Sequence, residues 1–400
     1  MPGSSASSTS ASCGPFRERR GRSMTPEVGK GRIGPMIEIS DLRRQNEPHR
    51  KELLAALESV LDSGHFILGE RVRRFEEGFA AYLGCAQAIG VANGTDALEL
   101  ALRAVGVVAG DRVATVANAG GYATTAILAC GAQPHYMDVD RDTALVDSED
   151  AARTIRSKPR AVVVTHLHGR LASVEAIVAE ARGAGVAVVE DCAQAHGARR
   201  GKAFAGSFSD IGCYSFYPTK NLGALGDGGA LVTNDSVLAG RLRRLRQYGW
   251  EGKYRAVEEG GRNSRLDELQ AAVLEAKLAH LDAENARRRE IAQRYAREIH
   301  NSVITVPSRG GEDDVVHLFV VRCAQRDRLR EHLAAQGVRT DVHYPVPDHL
   351  QPAYAGRHPG GRLPVTEALA GEIVTLPAHP ALSGDEIARV IAACNGFRAR

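Results

Sequence analysis

The chain has 400 residues, 44% of them apolar, and a formal net charge of +3 at pH 7, which is enough sequence for two or three domain-sized units. Residues 1–35 alone carry +4, so the rest of the chain carries −1 and predicts no nucleic-acid-binding surface. No apolar run approaches the roughly 20 residues of a membrane span, so we expect no membrane partner.

The seven cysteines are scattered and contain no C-x-x-C pair. This spacing supports neither a disulfide framework nor a zinc site. Reduced thiols in a cytoplasmic protein are the simpler interpretation.

Residues 1–36 are rich in Ser, Gly and Arg and nearly free of large apolar residues. This composition predicts a disordered, basic N-terminal extension. The stretch has no apolar segment of the kind found in secretory signals, and it resembles a transit peptide only mildly. We favour a start assigned too far upstream, with Met24 or Met36 as the true first residue.

Apolar residues at helical spacing predict two amphipathic helices, one over residues 48–61 and one around Phe75. The segment AIGVANGTDALELALRAVGV then predicts a strand, a turn and a helix. Free backbone N–H groups where that helix begins form a potential anion site, to which Thr95 could add a hydroxyl. Thr and Asp are also ordinary N-cap residues, so this signal alone is weak.

Further along, nearly continuous Val-rich strands such as RAVVVTHLHG and VAVVED alternate with helices. This alternation predicts a mostly parallel sheet covered on both faces. His166 and His168 follow the first of these strands. Residues two apart on a strand point to opposite faces, so we predict that they share no metal and that the chain has no metal site.

The stretch from Glu190 to Asn221 carries the strongest chemical signal. Asp191 ends one predicted strand, and Lys220 follows the apolar run IGCYSFYPT. A lysine for a Schiff base and a carboxylate for a pyridinium nitrogen are the two groups that a pyridoxal phosphate (PLP) enzyme needs. A single Asp or Lys is structural more often than catalytic, but the ordered set Asp-x-x-Gln, Ser-x-x-x-x-Lys-Asn and a Gly-rich tail favours PLP.

The Gly-rich tail GALGDGGALVTND lacks the G-K-[ST] of a P-loop, and no G-x-G-x-x-G lies between a strand and a helix. The tail is therefore not a P-loop, and the missing G-x-G-x-x-G argues against a dinucleotide-binding dehydrogenase. Beyond this tail, a long helical stretch over residues 262–299 is predicted to break near Leu281. The segment VVHLFVVRC predicts a strand that carries His317, and a helix ending at Gly337 follows.

Four segments together resemble the sugar-nucleotide aminotransferases of the DegT/DnrJ/EryC1/StrS family: DCAQAHG, YSFYPTKNLGALGDGGALVTND, GRNSRLDELQAA and HYPVPDHLQPAY. The resemblance runs from about Asp41 to about Ala393. It implies an α/β, aspartate-aminotransferase-like fold (fold type I of the PLP enzymes). The large PLP-binding domain, with a mostly parallel seven-stranded sheet, would span residues 37–282, and a smaller α+β domain would span 283–400.

The resemblance also implies roles for individual residues. Lys220 would hold PLP and move the proton, with pyridoxamine phosphate formed in the half-reaction. Asp191 would pair with the ring nitrogen and Gln194 with the ring hydroxyl. The phosphate group would lie against four residues, Gly94, Thr95, Asp96 and Ser215.

Family members place an aromatic residue flat on the PLP ring, whereas this chain has Gly120 or Gly121 at the expected position. We therefore assign that role to the nearest aromatic residue, Tyr122. By the same resemblance Asn263 reaches into the site of a partner subunit, which implies a homodimer with shared active sites. The candidates on the substrate side are His317, Tyr344 and His349.

The resemblance implies transfer of an amino group from L-glutamate or L-glutamine to a keto sugar nucleotide. A dTDP-3-keto-6-deoxyhexose is our first expectation, followed by a 4-keto sugar nucleotide and an inosose-type cyclitol. Lys220 argues against the related dehydratases, which carry histidine in its place. A non-catalytic PLP-fold regulator is the alternative of a different class, although such a protein would lack Asp191, Gln194 or Lys220, or add a DNA-binding module. The segment HYPVPDHLQPAY counts against a PLP desulfurase or lyase.

Overall fold

The computed structural model describes residues 35–354, 356–357 and 361–399. The basic extension predicted over residues 1–36 lies outside the described residues except for Pro35 and Met36. Cys13 lies outside them as well. The six described cysteines are free thiols.

Seven of the eleven strands in the described ranges form the central sheet, in the order β1-β9-β8-β5-β4-β2-β3. β9 is antiparallel to both of its neighbours, and the other pairings are parallel. This confirms the predicted mostly parallel, seven-stranded α/β fold. The strands are β1 (Gln87–Val91), β2 (Arg112–Val116), β3 (Gln133–Met137), β4 (Ala161–Thr165), β5 (Ala187–Asp191), β6 (Arg199–Arg200), β7 (Ala203–Phe204), β8 (Ile211–Ser215), β9 (Gly229–Thr233), β10 (Phe319–Arg322) and β11 (Ile373–Leu376).

Thirteen α-helices accompany these strands in the described ranges. They are α1 (Leu42–Asn46), α2 (Arg50–Ser63), α3 (Glu70–Leu83), α4 (Gly94–Ala104), α5 (Tyr122–Ala129), α6 (Ser148–Arg156), α7 (Val174–Ala184), α8 (Ser236–Leu245), α9 (Glu268–Leu278), α10 (Leu281–Glu298), α11 (Arg326–Ala335), α12 (Pro364–Glu372) and α13 (Gly384–Gly396). The long helical stretch divides between α9 and α10, close to the predicted break. Within the described residues no helix is long and apolar enough to cross a membrane.

Burial on both faces explains why the central strands are so uniformly apolar. Every residue of β4 is buried. Alternate strand residues pack against α4, α5 and α8 on one face, and against α3, α6, α7 and α9 on the other. Since successive strand residues point to opposite faces, both sets have to be apolar.

The C-terminal part builds a second core around the antiparallel pair β10 and β11. α10, α11 and α13 pack on this pair. His317 lies two residues before β10, so the prediction that the strand itself carries it was wrong. Its position is explained by positive φ at Val316, where the chain turns before the strand begins. The predicted domain boundary near residue 282 stays a prediction.

The carboxyl ends of β1, β5 and β8 point to the same edge of the sheet, since these strands run in the same direction. Asp191 and Ser215 are the last residues of β5 and β8. α4 begins at Gly94, just after β1. In open α/β sheets this edge is where ligands bind.

A buried carboxylate fixes the same edge from the opposite face of β5. Glu190 is fully buried and accepts hydrogen bonds from the backbone N–H groups of Gly206 (2.8 Å), Phe208 (3.0 Å) and Ser209 (3.0 Å). Its Oε2 also lies 2.9 Å from Nε2 of His166. The carboxylate therefore accepts four hydrogen bonds, which connect β5 to the end of β4 and to the loop that precedes β8.

We expect Glu190→Gln to lower the free energy of unfolding by about 2–4 kcal/mol, because an amide must turn an NH2 group toward backbone N–H donors and leave them unpaired. Chemical denaturation of the purified apoprotein would measure this loss. Glu175→Gln is the control, since Glu175 pairs with Arg200 at the surface and should contribute under about 1 kcal/mol. Equal effects of the two substitutions would contradict the proposed importance of Glu190.

Candidate active site

A cavity of about 670 Å³ lies at the edge of the sheet where β5 and β8 end. Most of the residues predicted from the sequence line it, from both the sheet and the C-terminal part of the chain. The predicted residues in its wall are Gly94, Thr95, Tyr122, Asp191, Gln194, Ser215, Lys220, His317 and Tyr344. The structure therefore brings together segments that are up to 250 residues apart in the chain.

The N-terminus of α4 forms an anion-binding cup in this wall. Asn93 caps the helix by accepting a hydrogen bond from Asp96 N at 2.8 Å, and Gly94 and Thr95 at the start of the helix line the cavity. A Cβ at Gly94 would lie 2.6 Å from the Cβ of Ser215, so only glycine lets the helix approach β8 this closely. Helix N-termini of this kind bind phosphate groups.

The side chain of Asp96, which was predicted to contact the phosphate group, lies outside the cavity. Its carboxylate lies 3.3 Å from Arg262 and does not line the cavity. Only its backbone N–H takes part in the helix cap. Its predicted contact with a phosphate group is therefore not visible in this geometry.

Asp191 presents a buried carboxylate to the cavity. The residue is 5% exposed, and its Oδ1 accepts a hydrogen bond from Ala193 N at 3.1 Å. Burial raises its pKa, while that hydrogen bond and the charge of Lys220 oppose the rise. A carboxylate in this position is well suited to pair with a cationic group of a ligand.

Lys220 lines the same cavity, and its charge interacts with that of Asp191. Burial lowers the pKa of its amine from 10.5 to about 8, and the charge of Asp191 works against this decrease. A substantial fraction of the amine is therefore neutral near physiological pH. A neutral amine is what nucleophilic attack on an aldehyde and proton abstraction both require.

Gln194 and two tyrosines form the wall next to Asp191. Gln194 Oε1 accepts a hydrogen bond from His168 N at 2.6 Å, and its Nε2 donates to the hydroxyl of Tyr344 at 3.3 Å. The rings of Tyr122 and Tyr344 meet edge to face, 6.3 Å apart. Gly120 has φ +80°, and a Cβ there would lie 2.8 Å from the ring of Tyr344. Tyr344 thus occupies the space beside the glycine where the family has an aromatic residue.

Of the remaining predicted residues, His317 lines the cavity, whereas His349 and Asn263 do not. His317 is 8% exposed, and its Nδ1 lies 2.9 Å from Oδ1 of Asn221. His349 does not line the cavity, and its Nε2 lies 3.3 Å from Glu367. Asn263 is exposed and also lies outside this chain's own cavity.

The cavity also contains residues that the sequence did not single out. Arg288 comes from α10, and His379 follows β11. Arg288 stands in the run Arg287–Arg289, which reads as a solvated helix face, and only its burial distinguishes it. His379 lies in the irregular segment PAHP, where no periodicity predicts which side chains are buried.

The residues present fit the cofactor that the sequence predicts. The N–H cup with Ser215 suits a phosphate group, the buried Asp191 suits a pyridinium nitrogen, and Lys220 suits an aldehyde.

The two histidines that follow β4 have separate hydrogen-bond partners. Nε2 of His166 bonds to Glu190, whereas Nε2 of His168 lies 3.2 Å from the carbonyl oxygen of His343.

Comparison with known proteins gives the same picture over nearly the whole described chain. Residues 48–395 match the model of the DegT/DnrJ/EryC1/StrS aminotransferase family. A dTDP-3-amino-3,4,6-trideoxy-alpha-D-glucose transaminase from Streptomyces venezuelae is 43% identical over 92% of this chain and 97% of its own. A dTDP-3-amino-3,6-dideoxy-alpha-D-galactopyranose transaminase from Aneurinibacillus thermoaerophilus is 44% identical over 90% and 99%.

The same fold is seen in solved structures. The crystal structure of S. venezuelae DesV in complex with a ketimine intermediate is 43% identical to this chain, with a TM-score of 0.87. The match covers 90% of this chain and 98% of DesV.

We expect the rate at which the apoenzyme attaches PLP covalently to rise about tenfold per pH unit below pH 8 and to level off above it. Only the neutral amine of Lys220 attacks, and burial brings its pKa down to about 8, so the neutral fraction stops growing there. Stopped-flow absorbance between pH 6.5 and 10 would measure the rate. Nα-acetyllysine is the control, since its amine titrates near 10.4 and its rate should keep rising to about pH 10. A protein rate that also rises to pH 10 would contradict the lowered pKa.

Proposed function

The chain belongs to the DegT/DnrJ/EryC1/StrS aminotransferase family and is a PLP-dependent transaminase, and from this premise we propose that it moves an amino group from L-glutamate or L-glutamine to a dTDP-3-keto-6-deoxyhexose in amino-sugar biosynthesis. The observation that carries the proposal is the meeting of Lys220, Asp191 and the N–H cup of α4 in one cavity. The acceptor is inferred from the two relatives above, whose names both specify a dTDP-linked 3-amino sugar.

PLP, when bound, supplies an aldehyde and a ring that withdraws electrons from the α-carbon of the amino donor. The N–H groups of Gly94 and Thr95 and the hydroxyl of Ser215 would hold the phosphate group. Asp191 would accept a hydrogen bond from the ring nitrogen and keep it protonated, which its buried carboxylate can do without competition from water. Gln194 would bind the ring hydroxyl.

Lys220 performs the proton transfer in this proposal. As a general base its Nζ takes the proton from the donor α-carbon, and as a general acid it returns a proton when the acceptor reacts. A pKa of about 8 is close to the operating pH, which favours both directions. The two half-reactions share one cavity, so ping-pong kinetics follow.

The side chains of Tyr122, His317 and Tyr344 line the same cavity and are proposed to contact the acceptor or the cofactor ring. A 4-keto sugar nucleotide and an inosose-type cyclitol remain the alternative acceptors, because one or two side chains decide such a preference. A non-catalytic regulator of the same fold is disfavoured, since Asp191, Gln194 and Lys220 are all present.

We also propose a homodimer in which Asn263 completes the site of the partner subunit. Asn263 is exposed and lies next to Arg262, which pairs with Asp96 and Glu99 of α4. This contact fixes the Asn263 segment against α4, on a surface that a second copy could cover. A cytoplasmic location is proposed on the free state of the six described cysteines.

Adding L-glutamate to the PLP-loaded protein should remove the absorbance band of the bound cofactor, and only a keto sugar nucleotide should restore it. Comparing 3-keto and 4-keto forms of the dTDP sugar would identify the acceptor.

Lys220→Ala should lose turnover by more than about 1000-fold while its far-UV circular dichroism spectrum stays unchanged. Full activity of this variant would refute the assignment of Lys220, and a band indifferent to every amino donor would refute the transaminase reaction.

Mixing two impaired variants tests whether the active sites are shared between subunits. Asn263→Ala should weaken PLP binding, and Lys220→Ala should abolish turnover. After subunit exchange, hybrid dimers carry one site with both native residues, so an equal mixture should regain about a quarter of native activity. Steady-state assay of the mixture at limiting PLP measures this gain. Absence of any gain, with exchange verified by mass spectrometry, would mean that Asn263 acts within its own subunit or not at all.

A further inference from the structure

Arg288 and His379 line the cavity that contains Lys220, yet the chemistry described above gives them no role. Arg288 lies in the middle of α10 and is 4% exposed. His379 lies three residues after β11 and is 1% exposed. Two buried, polar side chains therefore meet the cavity from the C-terminal part of the chain.

The hydrogen-bonding capacity of both side chains is largely unused. Arg288 donates to the carbonyl oxygen of Ala378 at 3.2 Å and to Gln45 Oε1 at 3.4 Å, and its Nε has no acceptor. Neither ring nitrogen of His379 has a hydrogen-bond partner. Across the described ranges, no carboxylate lies within ion-pair distance of Arg288.

The charges at this recess are unbalanced. Burial lowers the pKa of Arg288 to about 10, which leaves the guanidinium cationic at neutral pH. Burial, and then the charge of Arg288, lower the pKa of His379 to about 4, so its ring is neutral and offers one N–H donor. The charge of Glu284 acts on the pKa of Arg288, but its carboxylate lies 3.1 Å from Nε2 of His49 instead. A buried cation without an anionic partner is costly, and this one faces a ligand cavity.

We propose that Arg288 and His379 bind a carboxylate group of the amino donor and so determine donor specificity; this inference rests on the proposed transaminase function. A planar guanidinium offers parallel N–H groups that match the two oxygens of a carboxylate, and the imidazole N–H of His379 can add a further bond. The ligand class is therefore an amino acid, with its amine directed toward Lys220.

The enclosure of the recess favours a carboxylate over the diphosphate of a sugar nucleotide. A carboxylate ends a small molecule and can enter a recess whose two side chains are almost fully buried. A diphosphate connects a sugar to a nucleoside, so both of its ends need space. Tyr122 and Tyr217, which line other parts of the cavity, are 49% and 52% exposed and leave room for such a molecule.

α10 also sets the distance between this recess and Lys220. Asn285 lies three residues before Arg288, on the same side of the helix, and its Oδ1 accepts a hydrogen bond from Asn221 Nδ2 at 2.8 Å. Asn221 directly follows Lys220 in the chain. One rigid helix therefore carries the carboxylate site and fixes the segment of the reactive lysine.

Arg288→Gln tests the proposal in the PLP-loaded protein, with Arg289→Gln as the matched control on the same helix. We expect the L-glutamate concentration at half-maximal rate of the first half-reaction to rise about 30-fold or more. The dissociation constant of glutarate, a dicarboxylate that cannot react, should rise by a similar factor in titration calorimetry. The second half-reaction, started from the pyridoxamine phosphate form with keto sugar nucleotide, should change by less than about twofold, and Arg289→Gln should change none of the three.

His379→Phe is the second variant, since it keeps a ring but removes the donor, and it should weaken glutamate and glutarate binding about fivefold. If Arg288→Gln does not fold, the binding measurements on His379→Phe test the proposal alone. Weaker binding of the keto sugar nucleotide with unchanged glutarate binding would assign the recess to the diphosphate and overturn the proposal. Unchanged binding of both in folded variants would overturn it as well. If native protein reacts with no amino donor, the transaminase proposal fails, while the glutarate titrations still decide whether the recess binds carboxylates.

Discussion

The four-donor contact of Glu190 is the constraint on which the site geometry depends. Its carboxylate joins the end of β4, through His166, to the loop that enters β8, through Gly206, Phe208 and Ser209. The ring of His166 is itself fixed, because its Nδ1 accepts a hydrogen bond from Ala172 N at 3.1 Å. Strand alternation then sends the next side chain, Asp191, to the other face and into the cavity. The two adjacent carboxylates thus have separate roles: Glu190 holds the strand ends together, and Asp191 faces the cavity.

Much of the fold could be predicted because burial on both faces leaves a direct mark in the sequence. Segments such as AVVVT in β4 carry no charged residue and are buried throughout, and their alternation with helices is sufficient to predict the parallel sheet. The chemistry of Asp191 and Lys220 could be predicted for a similar reason, since Asp191 ends one apolar strand and Lys220 comes shortly after another. Both positions are set by local structure, which short stretches of sequence encode.

Other features depend on contacts between distant segments, and the sequence could not predict them. Arg288 has the sequence context of a solvated helix face, and only packing against the C-terminal segment buries it. Gly120 looks like the loss of an aromatic residue until Tyr344, more than 200 residues later, is seen beside it. His349 shares a motif with Tyr344, but it turns toward Glu367 because Asp348, bonded to Thr124 at 2.6 Å, anchors that turn. Motif membership alone therefore does not place a side chain in the site.

The distribution of charge explains how one cavity could serve two chemically different substrates in turn. Burial works against both Asp191 and Lys220, raising the pKa of the carboxyl group and lowering that of the amine, while their mutual attraction works in the opposite direction. Asp191 and the N–H cup lie at the sheet edge, where a cofactor would satisfy them permanently. Arg288 and His379 lie on the C-terminal side and would be satisfied only while a donor is bound. In this proposal product release would empty the recess again and leave the guanidinium unpaired. The cost would fall on the form of the protein that must next accept a sugar, and sugar binding would have to rely on the more exposed part of the cavity.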